Sequence, residues 1–223
     1  YKRQARNHYK QDRMFELALR FRMPIVLFGE GGGGRPGDDS TGPAVAFDTH
    51  TFTQFSKLSG AVPMVGVNHG RCFAGNTALL ACCDVIIATK DSTIAMGGPA
   101  MIEGGGLGIY TPEEVGPMSF QVPNGVVDIL VEDEAEAVRV AKQYLSYFQG
   151  STDSWEAPDQ RKLRHIVPEN RLRLYDMREI IATLADKDSV LEIRAGFGVG
   201  VITCFIRVEG RPMAVSYTHL RAH

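Results

Sequence analysis
The sequence predicts an α/β fold with a largely parallel sheet, on three observations. Short apolar runs, "PIVLF", "VPMVGVNH", "DVIIAT" and "STIAM", have the length and branched content of buried strands. Helical stretches lie between the first three of them, "AVAFDTHTFTQFSKLSG" and then "TALLACC". Glycine-rich turns, "GEGGGGRPG" from Gly29 to Gly37 and "GRCFAGN", follow the first two strands. Sheets of this kind bind ligands beyond the carboxyl ends of their strands.

Each element has a local reason. "DRMFELALRFR" places Met14, Leu17 and Phe21 on one helical face, with Leu19 off it, and Pro24 ends the helix. The second helix offers Phe47, Phe55 and Leu58 to a core and stops at Gly60. "TALLACC" is short and almost wholly apolar. After "STIAM" comes a second glycine cluster, "MIEGGGLG". "VVDILVED" reads as a strand, and "EAEAVRVAKQYLSYF" as an amphipathic helix with Ala137, Val140, Ala141, Tyr144 and Leu145 inward. Residues 151–172 are polar, carry two prolines, and read as a linker that closes a first domain over residues 1–150. Past it, "LYDMREIIATLAD" is a helix, and "SVLEIRAGFGVGVITCFIRVEGRPMAV" reads as antiparallel strands with a tight turn at Glu209–Gly210. Residues 173–214 are thus expected to begin a second domain. Residues 215–223 end in "VSYTHLRAH", which resembles a translated sequencing adapter and is expected to stand outside the fold. With no initiator Met at residue 1, the chain reads as an internal fragment of a longer protein.

Composition narrows the function. The chain has 223 residues, 44% hydrophobic and 22% charged, an ordinary globular balance. A formal charge of −2 gives no electrostatic reason to bind nucleic acid or an anionic membrane surface. No run reaches membrane-spanning length, and no signal-peptide pattern is found. Four cysteines, with Cys82 and Cys83 adjacent, suit free thiols in a reducing cytoplasm; zinc is the sharper alternative, but no C-x-x-C spacing or His partner accompanies them.

Four consecutive glycines need a reason, because glycine loses the most backbone entropy on folding. No Lys-Ser or Lys-Thr follows Gly34, so a P-loop is excluded. A dinucleotide fingerprint should open a helix at once, whereas "RPGDDSTGP" intervenes. A flexible linker and a site where bare amides approach a ligand remain. In "GRCFAGN" the chain turns at Gly70 and a helix of small residues starts near Ala74–Gly75. Its first N–H groups would have no internal partner, and could hold the oxygen of an enolate or tetrahedral intermediate. Equally, Gly70 and Gly75 could serve only close packing of helix on strand.

"PIVLFGEGGGGRPG", "VPMVGVNHGRCFAGNTALLACCDVIIA" and "STIAMGGPAMIE", with "IVPENRLRLYDMREII" downstream, resemble the beta-type carboxyltransferase subunit of biotin-dependent acyl-CoA carboxylases, within the crotonase superfamily. The resemblance covers roughly residues 12–215. It implies a crotonase-like (ClpP/crotonase) ββα-superhelix, holding the end of a first domain and the start of a second. It implies carboxyl transfer from carboxybiotin, on a partner carrier, to the α carbon of an acyl-CoA such as acetyl-, propionyl- or methylcrotonyl-CoA. Biotin carrier and biotin carboxylase components, and further copies of the subunit, would be partners; no metal is implied. By the matching segments, the amides of Ala74 and Gly75 would form the oxyanion hole. Gly32, Gly33, Gly34, Arg35, Gly70 and Gly98 would line the substrate side. No side-chain nucleophile is implied: Cys72 reads as packing and His69 as a satisfied strand-end histidine. Gln121 stands where the family commonly has His, and "VGP" replaces a double glycine. A decarboxylase of malonyl-type CoA thioesters and a non-catalytic CoA-binding or assembly subunit are the alternatives.

Overall fold
The computed structural model describes residues 2–32, 50–170 and 172–217. The chain divides into two units, Tyr1–Gln121 with Leu130–Ala141, and Val122–Ile129 with Lys142–His223.

The first unit is built on a four-stranded sheet in the order β1-β2-β4-β6, formed by Ile25–Phe28 (β1), Met64–Asn68 (β2), Val85–Thr89 (β4) and Ile129–Val131 (β6). β2 pairs in parallel with β1 on one side and β4 on the other. Every residue of β2 and β4 is buried, as a central strand covered on both faces requires. β1 differs from the fully buried strand that its sequence suggests. It is an edge strand: Ile25 and Leu27 pack on the core, whereas Val26 and Phe28 are exposed.

Helix α1 (Lys2–Phe21) also turns a different face inward. Phe15 and Ala18 are buried and Leu19 packs beside them, while Met14 and Phe21 are exposed. The partner decides this. Phe55, on α2 (Thr51–Ser56), lies with its ring 4.7 Å from that of Phe15, and both join Leu58, Val62, Met64 and Leu79 in one core. Both stripes have helical spacing, so the choice between them is made by a residue far along the chain. Phe47 lies outside the described residues.

A small two-stranded parallel sheet stands beside the main one, formed by Arg71–Phe73 (β3) and Thr93–Ala95 (β5). "GRCFAGN" is therefore strand as well as turn. Helix α3 (Gly75–Leu80) follows β3 directly, and Cys82 and Cys83 come just after it, half-buried. The second glycine cluster caps a short helix, α4 (Pro99–Gly104), and α5 (Met118–Gln121) follows. Among the described residues no helix is long and apolar enough to cross a membrane.

Helix α6 (Glu134–Ser146) begins in the first unit, where Ala137, Val140 and Ala141 are buried as its period predicts. In the second unit Tyr144 and Tyr147 pack on Phe205, at 5.7 and 5.4 Å between ring centres. The stretch read as a linker carries a 3-10 turn at Gln160–Lys162 and the short helix α7 (Leu163–Ile166). Helix α8 (Met177–Leu184) packs Ile181 against Ile202, Cys204 and Ile206. Those three lie on β8 (Ile202–Val208), the middle of an antiparallel sheet with β7 (Leu191–Ile193) and β9 (Arg211–Tyr217). Glu209 and Gly210 both have positive φ, 50° and 75°, the signature of a two-residue hairpin turn. The Asp186 carboxylate accepts both their N–H groups, at 3.0 and 2.7 Å.

Candidate active site
The two glycine-rich turns meet. Gly29 N–H continues the β1–β2 ladder to Val67 O, at 2.8 Å. Gly31 then bridges to β3: its N–H donates to Arg71 O at 2.8 Å, and its carbonyl accepts Phe73 N–H at 2.9 Å. A Cβ on Gly31 would run into the Asn76 side chain, and one on Gly70 would lie 2.6 Å from Glu30 Oε1. Gly32 lies beyond, with open space where a Cβ would be. Gly33, Gly34 and Arg35 lie outside the described residues, so the glycine loop is seen only at its start.

The second turn is held by polar side chains that pattern reading passed over. Asn68, fully buried at the end of β2, donates through Nδ2 to Gly70 O and Thr93 O, both at 3.2 Å. Thr77 on α3 donates to Cys72 O at 2.7 Å, with Ala95 O 3.0 Å away, which ties the first turn of the helix to β3 and β5. The available signal was a lone amide ending an otherwise apolar strand.

Between them Ala74 takes φ 56° and ψ −123°, the conformation of the first central residue of a type II′ turn. Glycine is usual there, and a residue with a Cβ bears strain of about 1–3 kcal/mol. The Ala74 N–H is engaged: it donates to Met96 O at 3.1 Å, with Ala95 O at 3.3 Å. Ala74 is thus not the unpaired donor expected from the sequence. Its amide points back into β5. Among the described residues, nothing accepts the N–H groups of Gly75 and Asn76, the first two positions of α3. Gly75 also has a packing reason to lack a side chain, since a Cβ would stand 3.0 Å from the Phe52 ring. Gly98 caps α4, and its missing Cβ would make only ordinary contact with the Phe73 ring, at 3.5 Å.

Among the described residues, the neighbouring titratable groups do not form a nucleophile–base pair. Cys72 is buried, and burial pushes its thiol up, only partly opposed by the Thr77 hydroxyl. That is the wrong direction for a thiolate nucleophile. His69 Nδ1 lies 3.0 Å from Glu30 Oε1 and 3.6 Å from Glu134 Oε1. Gln121 donates to Ile94 O on β5 at 2.5 Å, and Ile94 N–H donates to Gly116 O at 2.9 Å. The residues that depart from the resembled pattern therefore brace β5 from behind.

A model of the carboxyl transferase domain matches residues 3–216. The chain belongs to the carboxyl transferase domain family. The family's crotonase-like α/β fold accounts for the parallel sheet and the strand–turn–helix at Gly70–Leu80. A solved single-chain, multi-domain long-chain acyl-CoA carboxylase is 58% identical to this domain, with a TM-score of 0.91, covering 96% of this chain and 21% of that one. The methylmalonyl-CoA carboxyltransferase 12S subunit of Propionibacterium freudenreichii subsp. shermanii is 32% identical over 212 residues, 90% of this chain and 40% of that protein. The methylmalonyl-CoA decarboxylase subunit alpha of Veillonella parvula is 27% identical over 216 residues, covering 89% of this chain and 41% of that protein. The domain thus spans about two fifths of the length of these two curated relatives.

Proposed function
We propose that this domain is the acyl-CoA side of a biotin-dependent carboxyltransferase, and that its substrates are long-chain acyl-CoA thioesters. One observation carries the reading: among the described residues, two successive amides, Gly75 and Asn76, have no acceptor at a strained turn that Asn68 and Thr77 tie to the neighbouring strands. Donors fixed in advance stabilise a developing oxyanion better than mobile ones, because they need no reorganisation as charge appears. The thioester oxygen would sit on the Gly75 and Asn76 N–H groups. Loss of the α-proton would place negative charge on that oxygen, and the enolate carbon would attack the carboxyl carbon. Carboxybiotin, on a partner carrier, would supply the carboxyl group and leave a base for the proton. Ala74 would set the turn, and Gly32 to Arg35 with Gly70 would frame the CoA end. The chain-length preference rests on likeness to the long-chain acyl-CoA carboxylase.

The reverse reaction, decarboxylation of a malonyl-type thioester, needs the same enolate and is the second reading; the Veillonella relative favours it. A non-catalytic role draws on Gln121 and the altered glycines, and the bond from Gln121 to Ile94 O offers a structural reason for Gln121. The test is a carbon dioxide exchange assay on a complete carboxylase carrying this domain, with acetyl-, propionyl-, methylmalonyl- and palmitoyl-CoA. Biotin-dependent carboxylation strongest with palmitoyl-CoA is expected. Carbon dioxide release from methylmalonyl-CoA with no carboxylation would favour the decarboxylase, and no turnover of any thioester would overturn both readings.

A further inference from the structure
The stretch from Met96 to Tyr110 is ordered yet adds little to the core. Helix α4 within it buries no residue. Its end is satisfied locally: Leu107 N–H donates to Ile102 O at 3.0 Å and Gly106 N–H to Glu103 O at 2.9 Å, with Gly106 at φ 70°. That is a Schellman cap, which orders a chain without burying it. Met96, Met101, Leu107, Ile109 and Tyr110 all stand exposed, Leu107 by 73% and Ile109 by 82%. Glu103 is the only charged residue in the stretch. Exposed apolar side chains along an ordered run suit a binding surface better than a core.

One end of the run adjoins the candidate site. Met96 O accepts the Ala74 N–H at 3.1 Å, so the run starts beside the turn whose next two amides are the proposed oxyanion donors. We propose that Met96–Tyr110 is the platform for the hydrocarbon tail of the acyl group, with Leu107 and Ile109 as chain-length determinants. This rests on the function proposed above and names the surface that makes it long-chain. A thioester held by its oxygen sends its acyl chain out from the same carbon, and the adjoining surface decides whether that chain meets water or apolar atoms. The near absence of charge suits methylenes and not phosphates. Each methylene removed from water favours binding by about fourfold, as expected from its transfer free energy.

The test uses a complete carboxylase carrying this domain, with Leu107→Glu and Ile109→Glu variants. The ratio of kcat/KM for palmitoyl-CoA to that for butyryl-CoA is measured, together with calorimetric binding of palmitoyl-CoA and of free coenzyme A, and elution volume. We expect the palmitoyl-to-butyryl ratio to fall at least about tenfold, palmitoyl-CoA binding to weaken, coenzyme A binding to hold, and elution to stay constant. An unchanged ratio overturns the proposal. So does dissociation of an oligomer in the variants, which would make the run an interface between subunits. A wild-type enzyme that carboxylates short thioesters but not palmitoyl-CoA overturns this inference and leaves the carboxyltransferase reading standing. One that carboxylates none takes both down.

Discussion

The Asn76 amide fills the space where Gly31 lacks a side chain: a Cβ on the glycine would collide with it. This is where the glycine run touches the first turn of α3. Gly31 has φ 154°, so a side chain there is strained as well as crowded. Gly31→Ala should destabilise the protein by about 1–3 kcal/mol, as overpacking commonly does. Asn76→Gly should recover part of that loss in the double variant. Urea midpoints of the four proteins check it. Strict additivity would mean that the two residues do not press on each other.

Gly75→Val should lower kcat/KM for acyl-CoA by about 100- to 1,000-fold, the usual effect of losing one oxyanion donor. Cys72→Ser should retain activity within a few-fold, because burial keeps that thiol protonated and no step uses it. Steady-state kinetics on both variants, with circular dichroism to confirm folding, separate an amide mechanism from a cysteine one. A folded but inactive Cys72→Ser beside an active Gly75→Val would overturn the assignment.

Gln121→Ala should cost about 1–3 kcal/mol, by leaving the carbonyl of the buried Ile94 without this donor. Its kcat should stay near wild type. Thermal unfolding and kinetics on one preparation test this, and a large fall in kcat at unchanged stability would place Gln121 in the chemistry.

In the second unit, Asp186→Ala should cost about 2–4 kcal/mol, because the N–H groups of Glu209 and Gly210 lose the buried carboxylate they share as acceptor. Asp186→Asn keeps one acceptor oxygen and should cost less. Hydrogen exchange of the Glu209 and Gly210 amides would report it directly, with the fastest exchange in the alanine variant.

Burial pushes the Cys83 thiol from its ordinary value up to about 12, with smaller contributions from Cys82 and Asp84. A pKa raised on folding gives stability that is complete below the unfolded value and lost as pH rises toward the folded one. The window is therefore from about pH 9 to about pH 12. Urea midpoints should fall across that window in the wild type and fall less in Cys83→Ala. Equal slopes would remove Cys83 as the cause.

The order of the main-sheet strands was legible because each is a short apolar run bounded by turn residues, whereas β3, with Arg71 in it, read as a turn. The Glu209–Gly210 hairpin was legible because two positive φ values have a compositional signature. What one sequence did not carry was any choice settled by a distant partner. Phe55 decides which stripe of α1 is inward, and the edge position of β1 decides that Phe28 is exposed. The site was half legible for the same reason. Its glycines announced a close approach of backbone. That the Ala74 amide bonds to Met96 O depends on β5 lying alongside β3.

The strands of the main sheet stand in space in the order in which they occur along the chain, β1, β2, β4, β6. A ribosome delivers the amino end first, so each new strand meets an edge already waiting for it. None has to be inserted between strands that have paired before it. Assembly of this half can therefore keep pace with synthesis, and the growing edge of the sheet is bare only for as long as it takes to translate the next connection.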